Sequence, residues 1–129
     1  MKDTEMIFWT SRPNFMLVIA HEDSSRILGL VSMQKKSEDT AELNRLSVRS
    51  DARGLGIGSK LMEAFIEESR NSGFKKIYLE TSDAHKAAIR LYQRIGFKKI
   101  GTMGIEHVIG TYIPPCVHGI FAVQFIYNV

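Results

Sequence analysis

Hydrophobic and polar positions along this chain alternate between a two-residue period and a helical one. Phe15–Ala20 is continuously apolar and β-prone, bounded by Pro13-Asn14 and by Glu22-Asp23-Ser24-Ser25, which predicts a buried strand. Arg26–Met33 predicts a second strand, and the short polar connection predicts a hairpin. Ahead of the hairpin, Met6–Arg12 reads as the remnant of a helix ended by Pro13. Gln34–Asp39 reads as a polar loop and Thr40–Val48 as a third strand.

The third strand carries an irregularity. Ala41 and Leu43 are apolar on odd positions, whereas Leu46 and Val48 are apolar on even ones, so the phase flips around Asn44-Arg45. A one-residue slip of this kind is what a β-bulge produces. The alternative is a regular strand buried on both faces.

Helical spacing follows. Leu61, Met62, Phe65, Ile66 and Ser69 form one stripe of a helix over Ser59–Arg70, and Asn71-Ser72-Gly73 stops it. Lys75–Thr81 predicts a fourth strand. Ser82 or Asp83 is the expected cap of a second helix running to Ile95, with Ala88, Leu91, Tyr92 and Ile95 on one face and Gly96 as its left-handed terminator. Phe97–Met103 reads as a strand, Gly104–His118 as irregular, and Gly119–Val129 as a last strand with Phe121, Val123, Phe125 and Tyr127 alternating. The strand–helix–strand succession predicts an α/β fold in which a right-handed crossover makes strands 40–48 and 75–81 parallel neighbours.

Between the irregular strand and the first helix lies Arg53-Gly54-Leu55-Gly56-Ile57-Gly58. Glycines allow close approach of a ligand and unusual backbone conformations, and a helix beginning here offers free amides and a positive dipole end. This is a candidate anion site, suited to phosphate or pyrophosphate. The spacing is not G-x-G-x-x-G, and Gly58-Ser59-Lys60 reverses the order a P-loop needs. An ordinary glycine-rich turn accounts for the six residues equally well.

Composition narrows the function. The chain has 129 residues, 44% hydrophobic and 24% charged, which fits one soluble globular domain, 1–129. A net charge of +3 suits a polyanionic small ligand. Basic residues are scattered as pairs rather than gathered with aromatics, which disfavours nucleic acid. One cysteine, Cys116, excludes an intrachain disulfide, and no His or Cys spacing suggests a metal site. No apolar run approaches the roughly 18–20 residues of a membrane span, and Met1–Met6 is too polar for a signal peptide.

Two segments carry a resemblance. Arg53-x-x-Gly56-x-Gly58 is similar to the acetyl-CoA motif of the Gcn5-related N-acetyltransferase (GNAT) superfamily, and Ala88-Ile89-Arg90-Leu91-Tyr92-Gln93-Arg94-Ile95-Gly96-Phe97 is similar to its A-x-x-L-Y-x-x-x-G-F signature. Glu42-Leu43-Asn44-Arg45-Leu46-Ser47-Val48, Leu79-Glu80-Thr81-Ser82 and Phe125-Ile126-Tyr127 resemble the camello-like branch of that superfamily. The resemblance implies a mixed sheet, mostly antiparallel, with one central parallel pair splayed at the cofactor site and helices flanking it. It implies that the first strand and helices of the usual fold are largely missing here, as in an amino-terminally truncated form. Members of that branch carry a membrane-embedded amino-terminal segment, so full-length relatives are expected at the endoplasmic reticulum. The sequence as it stands is expected to be soluble, and cytoplasmic otherwise.

The resemblance also implies roles. Acetyl-CoA is the cosubstrate, with no metal. Arg53, Gly54, Gly56, Ile57, Gly58 and Ser59 would bind its pyrophosphate, and Leu46 and Val48 would meet the pantetheine arm through backbone groups. His85 stands where the superfamily often has an asparagine on that arm. Tyr92 is the candidate general acid for the leaving thiolate, although its place on an apolar stripe also fits the core. Glu42, six residues before Val48, is the candidate general base, and a solvated carboxylate at a strand start is the other reading. The implied activity is acetyl transfer to a primary amine: an amino acid, a cysteine conjugate or a protein amine. The alternative is a non-catalytic acyl-CoA-binding or interaction module of the same fold. An uncovered apolar flank would make the chain a homodimer.

Overall fold

The computed structural model describes residues 4–11, 14–21, 26–104 and 121–129. They form two compact units, one running from the first strand to Ile77 with Asn128–Val129, the other spanning Tyr78–Tyr127.

The first unit is an antiparallel meander carrying a helix. Strands β1 (Thr4–Ser11), β2 (Asn14–His21), β3 (Ile27–Lys35) and β4 (Thr40–Val48) lie side by side in chain order. Residues 4–11 are therefore not a helical remnant. Their backbone pairs with β2 along its length, from Thr4 opposite His21 to Ser11 opposite Asn14. A short apolar run has no decisive period of its own, and pairing with β2 settles its conformation. Leu17, Val18, Ile19 and Ala20 are all buried, so β2 is covered on both faces. This explains its unbroken apolar run.

Helix α1 (Ile57–Asn71) buries Ile57, Leu61, Met62, Phe65, Ile66 and Ser69, the expected stripe extended by one turn. Phe65 stacks at a tilt on Phe15 of β2, ring centroids 5.5 Å apart. Its end is fastened by two reversed bonds: Phe74 N–H to Ser69 C=O at 3.1 Å and Gly73 N–H to Arg70 C=O at 3.0 Å. This pairing requires a positive φ at the intervening residue, and Gly73 supplies one of +89°.

The second unit contains most of β5 (Lys76–Ser82), helix α2 (Lys86–Ile95), β6 (Lys98–Gly104) and β7 (Phe121–Asn128), with strand order β5-β7-β6. β6 and β7 are antiparallel. Helix α2 starts later than Ser82 or Asp83 would place it: His85 is its N-cap. The Ser82 hydroxyl instead accepts the Ala84 N–H at 3.1 Å, closing a turn at the end of β5. Tyr92, Phe97 and Phe125 form the core under α2, with Tyr92 centroids 5.8 Å and 6.2 Å from the two phenylalanines. Residues 105–120, including Cys116 and most of the segment expected to be irregular, lie outside the described residues.

Candidate cofactor-binding site

The phase flip in the third strand is a bulge. Ser32 of β3 stands opposite Arg45 and Met33 stands opposite Leu43, which leaves Asn44 as the extra residue of β4. Ala41 and Leu43 are buried, Asn44 and Arg45 are both exposed, and Leu46 and Val48 are half-buried. The Asn44 side chain donates to the Gln34 amide oxygen at 2.9 Å across the ladder. Glu42 stands opposite Gln34 and is half-buried.

Beyond the bulge the strand is tied down before it leaves the sheet. The Arg49 N–H donates to the Leu28 C=O at 2.8 Å, and a single 3₁₀ turn at Ser50–Ala52 follows. Asp51 in this turn accepts from Arg49 Nε at 3.1 Å and is also paired with Arg26. The hydrogen bond from Arg49, reinforced by the charges of Arg26 and Arg49, holds its carboxyl below the ordinary aspartate range.

Gly54 and Gly56 then take φ of +83° and +77°. Nothing lies within 4 Å of where a Cβ would project at either residue. Backbone conformation, rather than crowding, is what demands glycine at both. Gly56 is the N-cap of α1, and the first helical bond runs from Lys60 N–H to Gly56 C=O at 3.0 Å. The amides of Ile57 and Gly58 precede that bond and have no helical acceptor. No acidic residue occupies the first turn, and Arg53 and Lys60 are exposed beside it. Ile57 is buried and pins the turn to the meander. Open space, unpaired amides and basic neighbours fit a pyrophosphate.

One positioning residue escaped sequence reasoning. A Cβ on Gly29 of β3 would come within 3.0 Å of Ile57 Cγ2 and of the Ser47 carbonyl, and 3.1 Å from Leu61 Cδ1. Gly29 lets the first turn of α1 sit directly against β3. A glycine inside a β-prone run was the only available signal.

His85 and Tyr92 belong to the second unit. The exposed His85 ring lies with Nδ1 3.2 Å from the Thr81 hydroxyl, and its carbonyl accepts the Ile89 N–H. Tyr92 is 4% exposed, and burial pushes its phenol up to about 12. Its carbonyl accepts both the Gly96 and the Phe97 N–H. Among the described residues no three His, Cys, Asp or Glu side chains gather as a metal would require, and no helix is long and apolar enough to cross a membrane.

Several known proteins resemble this chain in sequence or in fold. The probable N-acetyltransferase camello of Xenopus tropicalis is 40% identical over 80 residues, 60% of this chain and 36% of that protein. The N-acetylaspartate synthetase of Danio rerio is 32% identical over 102 residues, 78% of this chain and 33% of that protein. The chain thus spans about a third of the length of these two relatives. The crystal structure of a GNAT family acetyltransferase from Elizabethkingia anophelis with acetyl-CoA bound superposes over 100% of both chains, with a TM-score of 0.81 at 14% identity. An IAA acetyltransferase from Bacillus cereus superposes with a TM-score of 0.75 at 18% identity, covering 90% of this chain and 78% of that one. These likenesses show a mixed α/β fold, a mostly antiparallel sheet with one parallel pair and flanking helices. The model of the acetyltransferase (GNAT) family matches residues 2–97, most of the sequence, and the chain belongs to that family.

Proposed function

We propose that this chain transfers the acetyl group of acetyl-CoA directly to a primary amine. The observation that carries the reading is the succession of the Asn44 bulge, the positive-φ glycines Gly54 and Gly56, and the open first turn of α1. The turn supplies amides for a pyrophosphate, from Arg53 to Ser59. The bulge interrupts the β4 ladder beside Leu46 and Val48, where pantetheine amides find backbone partners and an N–H can polarise the thioester carbonyl. The family resemblance also assigns His85 to that arm.

In the reaction the amine nitrogen bonds to the acetyl carbon and the carbon–sulfur bond breaks. The amine loses one proton to a base, for which Glu42 is the candidate, directly or through water. The departing sulfur needs a donor, and Tyr92 is the candidate. A phenol near 12 is neutral throughout the working pH range. Full transfer of its proton to a thiolate, whose thiol has a pKa of about 8.5, is uphill by roughly 5 kcal/mol. Tyr92 therefore serves as a neutral hydrogen-bond donor to the developing thiolate, and the proton that ends on sulfur comes by way of the amine. The relatives' names direct attention to amino-acid acceptors, aspartate first.

The test is calorimetric titration with acetyl-CoA, followed by thiol release over a panel of aspartate, S-benzyl-cysteine and short peptides. Saturable binding with turnover of one acceptor supports the reading. Binding without turnover on any amine makes the chain an acyl-CoA-binding module, and absence of binding removes the cofactor assignment.

A further inference from the structure

A second polar constellation lies wholly within the Tyr78–Tyr127 unit and has no part in the chemistry above. Tyr78 and Glu80 stand two residues apart on β5 and so share a face. The Tyr78 hydroxyl donates to Glu80 Oε1 at 2.5 Å. Gln124 of β7 donates from Nε2 to the Tyr78 oxygen at 3.0 Å and reaches Glu80 Oε1 at 3.5 Å.

The arrangement is directional. Gln124 gives to Tyr78, and Tyr78 gives to one oxygen of Glu80. Gly101, opposite Gln124 on β6, makes this possible: a Cβ there would stand 2.6 Å from Gln124 Oε1. The absent side chain admits the Gln124 amide oxygen and leaves its NH₂ turned toward Tyr78. Three strands thus hold a single carboxylate by one oxygen. The other oxygen, Oε2, makes no hydrogen bond among the described residues. Like Glu42, Glu63 and Glu68, Glu80 has no lysine or arginine at ion-pair distance among the described residues.

The geometry points to Glu80, oriented by Tyr78 and Gln124, as a receiving site for the ammonium group of a cationic amine. Resting on the reading of the chain as an N-acetyltransferase, this makes the site part of acceptor recognition and favours acceptors that arrive protonated over neutral ones. A fixed carboxylate oxygen meets a primary ammonium with a charge-assisted hydrogen bond, and Tyr78 spares it the entropy of finding that orientation.

The test separates binding from turnover. The Gln124 side-chain amide resonances are followed during titration with n-butylammonium chloride, against sodium chloride at equal ionic strength. The expected result is a saturable shift that Glu80→Gln abolishes and Tyr78→Phe weakens, with the folded spectrum retained in both. A shift no different from that with sodium chloride overturns the site. Where an amine acceptor is turned over, Glu80→Gln is expected to raise its KM about tenfold while leaving the KM for acetyl-CoA unchanged. An unchanged amine KM overturns the role in acceptor recognition. A saturable, Glu80-dependent shift in a protein that acetylates no amine keeps the ammonium site and discards the transferase reading.

Discussion

The carbonyl of Tyr92 accepts the N–H of Phe97 at 2.9 Å, and the rings of the same two residues stand 5.8 Å apart. With the Gly96 N–H on the Gln93 carbonyl at 3.1 Å, this is a helix end closed by reversed bonds and a hydrophobic contact across them. The L-Y-x-x-x-G-F pattern is thereby a structural unit: tyrosine four positions before the glycine that caps the helix, and phenylalanine folded back on the tyrosine. The cap fixes the backbone of Tyr92, and Phe97 and Phe125 pack on its ring.

Replacing Tyr92 with phenylalanine is expected to preserve the fold, because the ring packing on Phe97 and Phe125 remains. If Tyr92 donates to the developing thiolate, kcat falls about a hundredfold with little change in the acetyl-CoA dissociation constant. Steady-state kinetics beside calorimetry checks this. An unchanged kcat removes the residue from the chemistry.

Tyr92 also predicts an alkaline limit. Its phenol titrates near 12 when folded, against about 10 in an unfolded chain. The folded state therefore holds the proton more tightly, and stability is full below about pH 10 and is lost as the pH rises toward 12. The loss amounts to about 3 kcal/mol at the upper end. Denaturant midpoints should fall above pH 10 for wild type and not for Tyr92→Phe, which has no phenol to ionise.

Gly56→Ala places a side chain at a φ of +77° without any clash. The expected cost is about 1 kcal/mol of stability, and the strained turn presents its amides poorly. Acetyl-CoA binding should weaken about tenfold while the far-ultraviolet spectrum is unchanged.

Gly29→Val acts by crowding. It pushes the first turn of α1 away from β3 through Ile57 and Leu61, for an expected 1–3 kcal/mol or about that order of destabilisation. Affinity for acetyl-CoA should fall with it, although Gly29 stands in a strand and not in the loop. Loss of stability with unchanged affinity would show that the loop adjusts independently of the helix.

Asp51 predicts an acid response of the turn before the loop. Its depressed folded pKa means that its contribution is present above about pH 4 and fades as the pH falls through the folded value. Asp51→Asn should remove that part of the acid dependence in thermal melts recorded from pH 3 to about pH 6. An identical acid dependence in the variant would show that the Arg26 and Arg49 pairings hold nothing in place.

Much of this was legible in the sequence where the cause is local. The α1 stripe is a matter of helical period, and the phase flip at Asn44-Arg45 is a matter of strand period, so both could be read from a few neighbouring residues. The helix ends at Gly73 and Gly96 follow from the freedom of glycine at positive φ. Glu42, Leu46, Val48 and the Arg53–Ser59 loop fall in the first unit, in the order the motif implied, while His85 and Tyr92 fall on the cap and the buried face of α2.

What only the tertiary structure decided depends on residues far apart in the chain. Thr4–Ser11 is a strand because β2 offers it a ladder, a partner its own short apolar run cannot announce. Gly29 matters because α1 descends onto it, and Tyr78, Glu80 and Gln124 meet because β5 and β7 carry them to one face. Period and conformational preference are properties of a short stretch, so sequence alone determines the α1 stripe, the phase flip in β4 and the glycine helix ends. Close approach, burial of a phenol and convergence of polar groups arise only when distant stretches pack.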